Sequence, residues 1–139
     1  MVDGNGTLIK RIFENAPFVR SLGIELVSFG TGWCETSLKV TSVLKQQHGL
    51  VHAGVLMTLA DHSCGGAAAT TASDEQDVIT VETKVAFLRP APVSVLLCRA
   101  QVLRAGRRLV FTEAEVFTEE KIVVSKVSST LAFVALKSS

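Results

Sequence analysis

No apolar stretch in this chain is long enough to cross a bilayer. The longest uninterrupted run, residues 131–136, falls far short of the roughly 20 residues a spanning helix needs. The opening sequence MVDGNGTLIKRIF has no apolar core of signal-peptide type, so the expected location is the cytoplasm. Cysteine is scarce and unpatterned. Cys34, Cys64 and Cys98 are odd in number, lack CxxC spacing and sit in apolar contexts, which predicts buried free thiols. A nucleophilic Cys64 would need a depressed pKa and an adjacent base, and His62, two residues away, points to another helix face. Charge is sparse too: 19% of residues are charged, the net charge is +1, and Lys and Arg are dispersed, which argues against a nucleic-acid partner. Linkers, internal repeats and low-complexity segments are absent, so one domain is expected over residues 1–139, with residues 1–17 as an N-terminal helix and lead-in.

What the chain has in excess is apolar surface. Hydrophobic residues make up 47% of it and the mean hydropathy is +0.38. A small monomer must coat itself in polar groups, so part of this surface is expected in a subunit interface. Residues 8–15 predict a short amphipathic helix with Thr7 as its cap and Pro17 as its stop. Residues 22–29 and 33–41 are strand-like runs separated by Gly30 and Gly32, a hairpin signal. An apolar helix is predicted over residues 53–71, followed by a polar turn at 73–77. The period then changes, giving strands at 78–88, 93–103, 109–117 and 122–133 whose tight connections imply an antiparallel meander. The alternation in TVETKVAF and FTEAEVF sets polar groups on one sheet face and apolar groups on the helix side. The expected class is α+β, with an antiparallel sheet curled round one long helix.

That helix holds the most informative residue. In HAGVLMTLAD, Asp61 follows Val55, Leu56, Met57, Leu59 and Ala60 and precedes Cys64, Gly65, Gly66 and Ala67 to Ala69. A helix apolar all round is normally buried, and a carboxylate there is costly unless paired or hydrogen-bonded. Such an acid is a candidate catalytic group. The alternative is an Asp61 cap on a second helix, but no Gly or Pro breaks the spacing from Val55 to Cys64, and Asp61 lies about two turns beyond a start near Ala53. The preceding loop, QQHGLVHAG, brings Gln46, Gln47, His48 and His52 close to the first free helical N–H groups at Ala53 and Gly54, a ready oxyanion site. Asp61 is roughly 10 to 12 Å along the axis from that site, so a two-fold homodimer is needed to bring one chain's Asp61 opposite the other's helix start. His48, His52 and Asp61 can also be read as metal ligands, but Gly49 favours a turn over a helix there, and neither a metal nor a cofactor is expected. His62 is expected to pack or to reach solvent.

GLVHAGVLMTLADHSCGGAA followed by VETKVAFLRPA resembles the hotdog-fold acyl-CoA thioesterases of the PaaI-like, phenylacetic-acid-degradation branch, from about Leu22 to Phe133. The family pattern has His-Gly-Gly at the helix start, an Asp further along, and Asn or Gln upstream. By resemblance these fall on His52, Ala53 and Gly54, on Asp61 and on Gln46, while Thr80 matches a hydroxyl near the acid. Ala53 departs from the family's first glycine; its backbone N–H survives, but its methyl narrows the pocket or, at positive φ, strains the turn.

The resemblance implies an acyl-CoA substrate, a homodimer or homotetramer with the active site at the subunit interface, and thioester hydrolysis. The Ala53 or Gly54 N–H would polarise the carbonyl, Asp61 would act as general base or nucleophile, and Gln46 would orient water. His52 either joins the chemistry or ties down the loop through its ring. Gln47, His48, Leu88 and Arg89 are the candidate substrate-binding residues, with Arg89 placed for coenzyme A phosphates. Arg104, Arg107 and Arg108 read more simply as solvated hairpin charges. Two other functions remain open: a hotdog hydratase or dehydratase, which usually carries a proline-bearing loop before the helix, and a non-catalytic acyl-CoA binder, which would leave Asp61 unexplained.

Overall fold

The computed structural model of the chain describes residues 6–136. Residues 1–5 of the expected lead-in and 137–139 of the expected domain lie outside the described residues. The chain opens with α1 (Gly6–Glu14), which buries Leu8, Ile9 and Phe13. Because the helix already includes Gly6, Thr7 sits inside its first turn and is not its cap. Pro17 does not stop this helix either. It opens a second one, α2 (Pro17–Leu22), where a missing N–H costs nothing and the fixed φ suits a helix start. Gly23 closes α2 in the left-handed region, with φ at 85° and its N–H donating back to the Arg20 carbonyl. The first strand therefore starts at residue 24, two residues later than the apolar pattern predicts.

β1 (Ile24–Gly30) and β2 (Trp33–Lys39) form the expected hairpin. A 3-10 turn at Ser42–Leu44 leads to α3 (Ala53–Ala69), then β3 (Gln76–Phe87), β4 (Val95–Ala105), β5 (Leu109–Phe117) and β6 (Val123–Ala135). The strands make one six-stranded antiparallel sheet in the order β1-β2-β4-β5-β6-β3. The four-strand meander needs correction: β4, β5 and β6 are a meander, but β3 pairs with β6 at the far edge and β4 lies against β2. Between β3 and β4, Pro90 and Pro92 keep the chain extended, so it crosses the sheet and does not reverse into a hairpin. The result is the hotdog arrangement, an α+β fold in which the sheet wraps one long helix.

Burial of α3 divides along its length. Ser63 to Thr70 are buried without a break, covered by the sheet on one side and by α1 on the other. From Ala53 to His62 the helix is amphipathic: Val55, Leu56, Leu59 and Ala60 are buried, Ala53 and Met57 are exposed, and Asp61 is half-buried. All-round burial thus holds only for the second half. The first half presents a stripe at 53, 57 and 61 that the described residues cover only in part, at Asp61.

Small residues let the second half sit this deep. A Cβ on Gly66 would meet Phe13 Cε2 at 2.9 Å and Cys34 Sγ at 3.2 Å. Polar groups in the same layer are paired: Thr36 shares a 2.7 Å hydrogen bond with Ser63, whose hydroxyl donates to the Leu59 carbonyl at 2.6 Å. The three cysteines are free and buried. Burial pushes the Cys64 and Cys98 thiols up to about 12 and raises Cys34 as well, which suits core groups and opposes a nucleophilic Cys64.

Two neighbouring glycines should respond oppositely to alanine. At Gly65 a Cβ would make only an ordinary 3.8 Å contact with Leu131 Cδ2, so Gly65→Ala is expected to stabilise by up to about 1 kcal/mol through helix propensity. Gly66→Ala gains the same propensity but forces Phe13 and Cys34 apart, an overpacking that costs about 1–3 kcal/mol. Denaturant unfolding of both variants checks this, and equal shifts would contradict the packing described.

Candidate active site

The start of α3 is built by His52. Its backbone is extended, and its ring Nδ1 accepts the Gly54 N–H at 2.8 Å, capping the helix. The imidazole therefore carries its proton on Nε2. One of the two N–H groups expected to face a carbonyl is thereby engaged. The Ala53 N–H, at the first helical position, has no partner among the described residues. Lys121 is the one described non-glycine residue with positive φ, so the Ala53 methyl strains nothing.

Upstream, Gln46 shapes the loop. Its side-chain oxygen accepts the His48 N–H at 2.5 Å and the Leu50 N–H at 3.3 Å, while Gly49, with φ at 81°, turns the chain. Only the NH₂ half of that amide is left for a substrate or a water. Gln47 and His48 are exposed.

Asp61 is held from β3. Thr80 Oγ1 donates to its Oδ1 at 2.8 Å and Thr83 Oγ1 donates to the same oxygen at 3.0 Å. Oδ2 has no hydrogen-bond partner among the described residues, which leaves it for chemistry. Thr83 is absent from the sequence-based site. Thr80 and Thr83 are three apart, and on a regular strand they would face opposite sides. A bulge between Thr80 and Glu82 resets the alternation so that both face inward. No local residue type announces that bulge.

Beside Asp61 lies an open cavity of about 430 Å³ whose walls include Phe18, Met57, Thr58, Val81 and Thr83. A larger groove of about 1020 Å³ runs along α1 and β1 and contains none of these groups. Leu88 and Arg89 follow β3 and do not line the Asp61 cavity. The Arg89 guanidinium donates to the Val123 carbonyl at 2.6 Å, so one edge of it is committed to β6. Arg104, Arg107 and Arg108 are exposed. Among the described residues no group of three or more His, Cys, Asp or Glu is placed to hold a metal ion. No described helix is long and apolar enough to cross a membrane.

Comparison with known proteins decides the family. The family model for the thioesterase superfamily matches residues 48–125, more than half of the chain. The chain belongs to the thioesterase superfamily. The matched span contains His52, Ala53, Asp61, Thr80 and Thr83, with Gln46 just ahead of it. A thioesterase family protein from Silicibacter pomeroyi is 30% identical, with a TM-score of 0.88 over 92% of this chain and 96% of that one. The acyl-coenzyme A thioesterase PaaI of Escherichia coli is 26% identical over 117 residues, which is 82% of this chain and 80% of PaaI. The solved structure of PaaI shares the fold, with a TM-score of 0.85 at 22% identity over 92% of this chain and 91% of that one. The 1,4-dihydroxy-2-naphthoyl-CoA hydrolase of Listeria monocytogenes is 26% identical over 108 residues, 76% of this chain and 88% of the hydrolase. At the level of the superfamily the chain is a PaaI-like thioester hydrolase.

His62 lies where the two halves of α3 meet and is structural. Its Nε2 is 3.2 Å from the Ile12 carbonyl, which fixes Nε2 as a donor, and its ring meets Phe13 edge-on. Burial lowers its pKa below 6.5. The unfolded chain thus binds the His62 proton more readily than the folded one, so this contribution to stability is complete above 6.5 and is lost as pH falls through the folded pKa. His62→Gln, which can still donate to Ile12 but does not titrate, should flatten the fall in Tm between about pH 7 and 5. Parallel slopes for the two proteins would contradict this assignment.

Proposed function

We propose that the protein is an acyl-CoA thioesterase whose active sites form between two copies of the chain. One observation carries this reading. The unpartnered Ala53 N–H and the free Oδ2 of Asp61 lie on the same partly open stripe of α3, but eight residues apart, about 12 Å along the axis, too far to act on one carbonyl. An antiparallel second copy of α3 across a two-fold axis sets each Asp61 against the other chain's helix start. It also covers the half of the helix that α1 leaves open. The β3 edge supports the same pairing, since Ile79, Val81 and Phe87 are all more than half exposed there. Leu103, Leu109 and Phe111 supply further exposed apolar surface for joining dimers into a tetramer.

In this assembly the thioester carbonyl accepts the Ala53 N–H at the positive end of α3. Negative charge grows on that oxygen in the tetrahedral transition state, so the contact strengthens as the reaction proceeds. Asp61 Oδ2 from the facing chain takes a proton from water as the water oxygen bonds to the carbonyl carbon. The C–S bond then breaks and the proton passes to the departing sulfur. Asp61 can alternatively add to the carbonyl itself; the C–S bond then breaks as coenzyme A leaves as a thiolate, and water cleaves the resulting anhydride to regenerate the carboxylate and release the acid, its proton passing to the thiolate. His52 fixes the helix start, and the Gln46 NH₂ group orients water or substrate. Gln47, His48, Leu88 and Arg89 are assigned to coenzyme A, Arg89 through phosphate. The single domain is taken as the unit of function, working in the cytoplasm, where three free thiols persist. Membership of the thioesterase superfamily favours hydrolysis over hydration or mere binding.

A hydrolysis screen against short-chain, long-chain and aryl acyl-CoAs with thiol detection identifies the best substrate. On it, Asp61→Asn is expected to lower kcat by about 100-fold or more with the fold intact. Near-wild-type turnover would refute the role of Asp61. Shared sites have a second consequence: mixing Asp61→Ala chains with Gln46→Ala chains should give activity above either parent, because some hybrid sites carry both intact halves. A monodisperse, fully active monomer in sedimentation would exclude the shared site.

A further inference from the structure

We infer that Thr83 is a positioning residue for Asp61, delivered by the β3 bulge at Val81; this deepens the thioesterase reading and rests on it. The register carries the argument. Thr80 stands opposite Leu131 and Glu82 opposite Thr130, so Val81 is the extra residue, and Thr83 returns to the inner face opposite Ser129. Without that residue, only one of the two threonines could reach the helix.

The two hydroxyls are not equivalent. Thr80 is exposed, whereas Thr83 is half-buried and its Oγ1 also lies 3.0 Å from Oγ of the buried Ser129. Thr83 has a single hydroxyl proton, and the carboxylate, as the charged acceptor, takes it. Ser129 is then the donor to Thr83, its one proton shared between Thr83 Oγ1 at 3.0 Å and the Glu82 carbonyl at 3.2 Å, which makes a chain from Ser129 through Thr83 to Asp61 Oδ1. A carboxylate held at one oxygen by two donors from one strand cannot rotate freely about its side-chain torsion. The other oxygen, Oδ2, is kept in one orientation, which is what proton transfer or addition at a fixed carbonyl requires.

The test is a steady-state series on the best acyl-CoA from the screen. Thr83→Val keeps the shape and removes the hydroxyl; Ser129 retains the Glu82 carbonyl, 3.2 Å away, as a partner. Thr83→Val is expected to lower kcat about tenfold with KM changed less than about twofold, and Thr83→Ser to stay within about threefold of wild type. A kcat for Thr83→Val within about twofold of wild type, or a Thr83→Ser as slow as the valine variant, overturns the proposal. Should Thr83→Val fail to fold, Ser129→Ala leaves Thr83 in place without its donor. A fall in kcat of about threefold at constant KM then supports the proposal, and an unchanged kcat overturns it. Asp61→Asn, measured alongside, separates the two levels. If it keeps wild-type turnover, the role of Asp61 fails and that of Thr83 with it; if it is inactive while Thr83→Val is normal, only the role of Thr83 fails.

Discussion

How closely α3 approaches its sheet, and where that close approach ends, governs the rest of the molecule. Over Ser63 to Thr70 every position is buried, and side chains no larger than Cys or Thr let α1 press on the helix from the side opposite the sheet. At Gly66 there is no room for a methyl group. One turn earlier the cover stops: α1 reaches as far as His62, whose ring is held by Ile12 and Phe13. N-terminal to that contact, on the outer stripe of the helix, Ala53 and Met57 are exposed and Asp61 is half-buried, held from β3 by Thr80 and Thr83. The same helix thereby serves as core pillar at one end and, in the proposed function, as reactive surface at the other.

The proposed reactive end is built from two local devices that each consume one hydrogen-bonding group and free another. His52 takes the Gly54 N–H and leaves that of Ala53. The two threonines take Oδ1 of Asp61 and leave Oδ2. In both cases the group left over lies next to a fully satisfied neighbour, so its direction is fixed by rigid elements, a helix and a strand. The walls beside the carboxylate mix apolar Phe18, Met57 and Val81 with polar Thr58, His62 and Glu82.

Much of this was legible in the sequence, for identifiable reasons. Asp61 stood out because charge is rare among Val, Leu, Met and Ala, and the helix start near Ala53 and the β1–β2 hairpin followed from glycine placement. The strands past residue 76 were visible from their periodicity, but their order was not, because pairing of β3 with β6 is a long-range choice that local alternation does not encode. Pro17 was misread as a stop because proline serves equally at a first helical turn. Thr83 was missed because a spacing of three places two strand residues on opposite faces unless a bulge intervenes, and Val81 looks like any other strand residue. The extent of helix burial was overstated, since composition reports that a segment is apolar without reporting who covers it.

The exposed length of β3 bears on how the protein survives while alone. An isolated subunit offers a twelve-residue outer strand whose free backbone groups are flanked by Ile79, Val81 and Phe87. Lys84 is the only basic residue along it, a light guard against strand addition by a stranger. In the proposed assembly, newly made chains face a race between finding their own kind and recruiting foreign strands, and dilution lengthens the exposure while crowding with unfolded polypeptide worsens its outcome. If the proposed pairing holds, solubility is a property of the pair, set by how fast like edges meet.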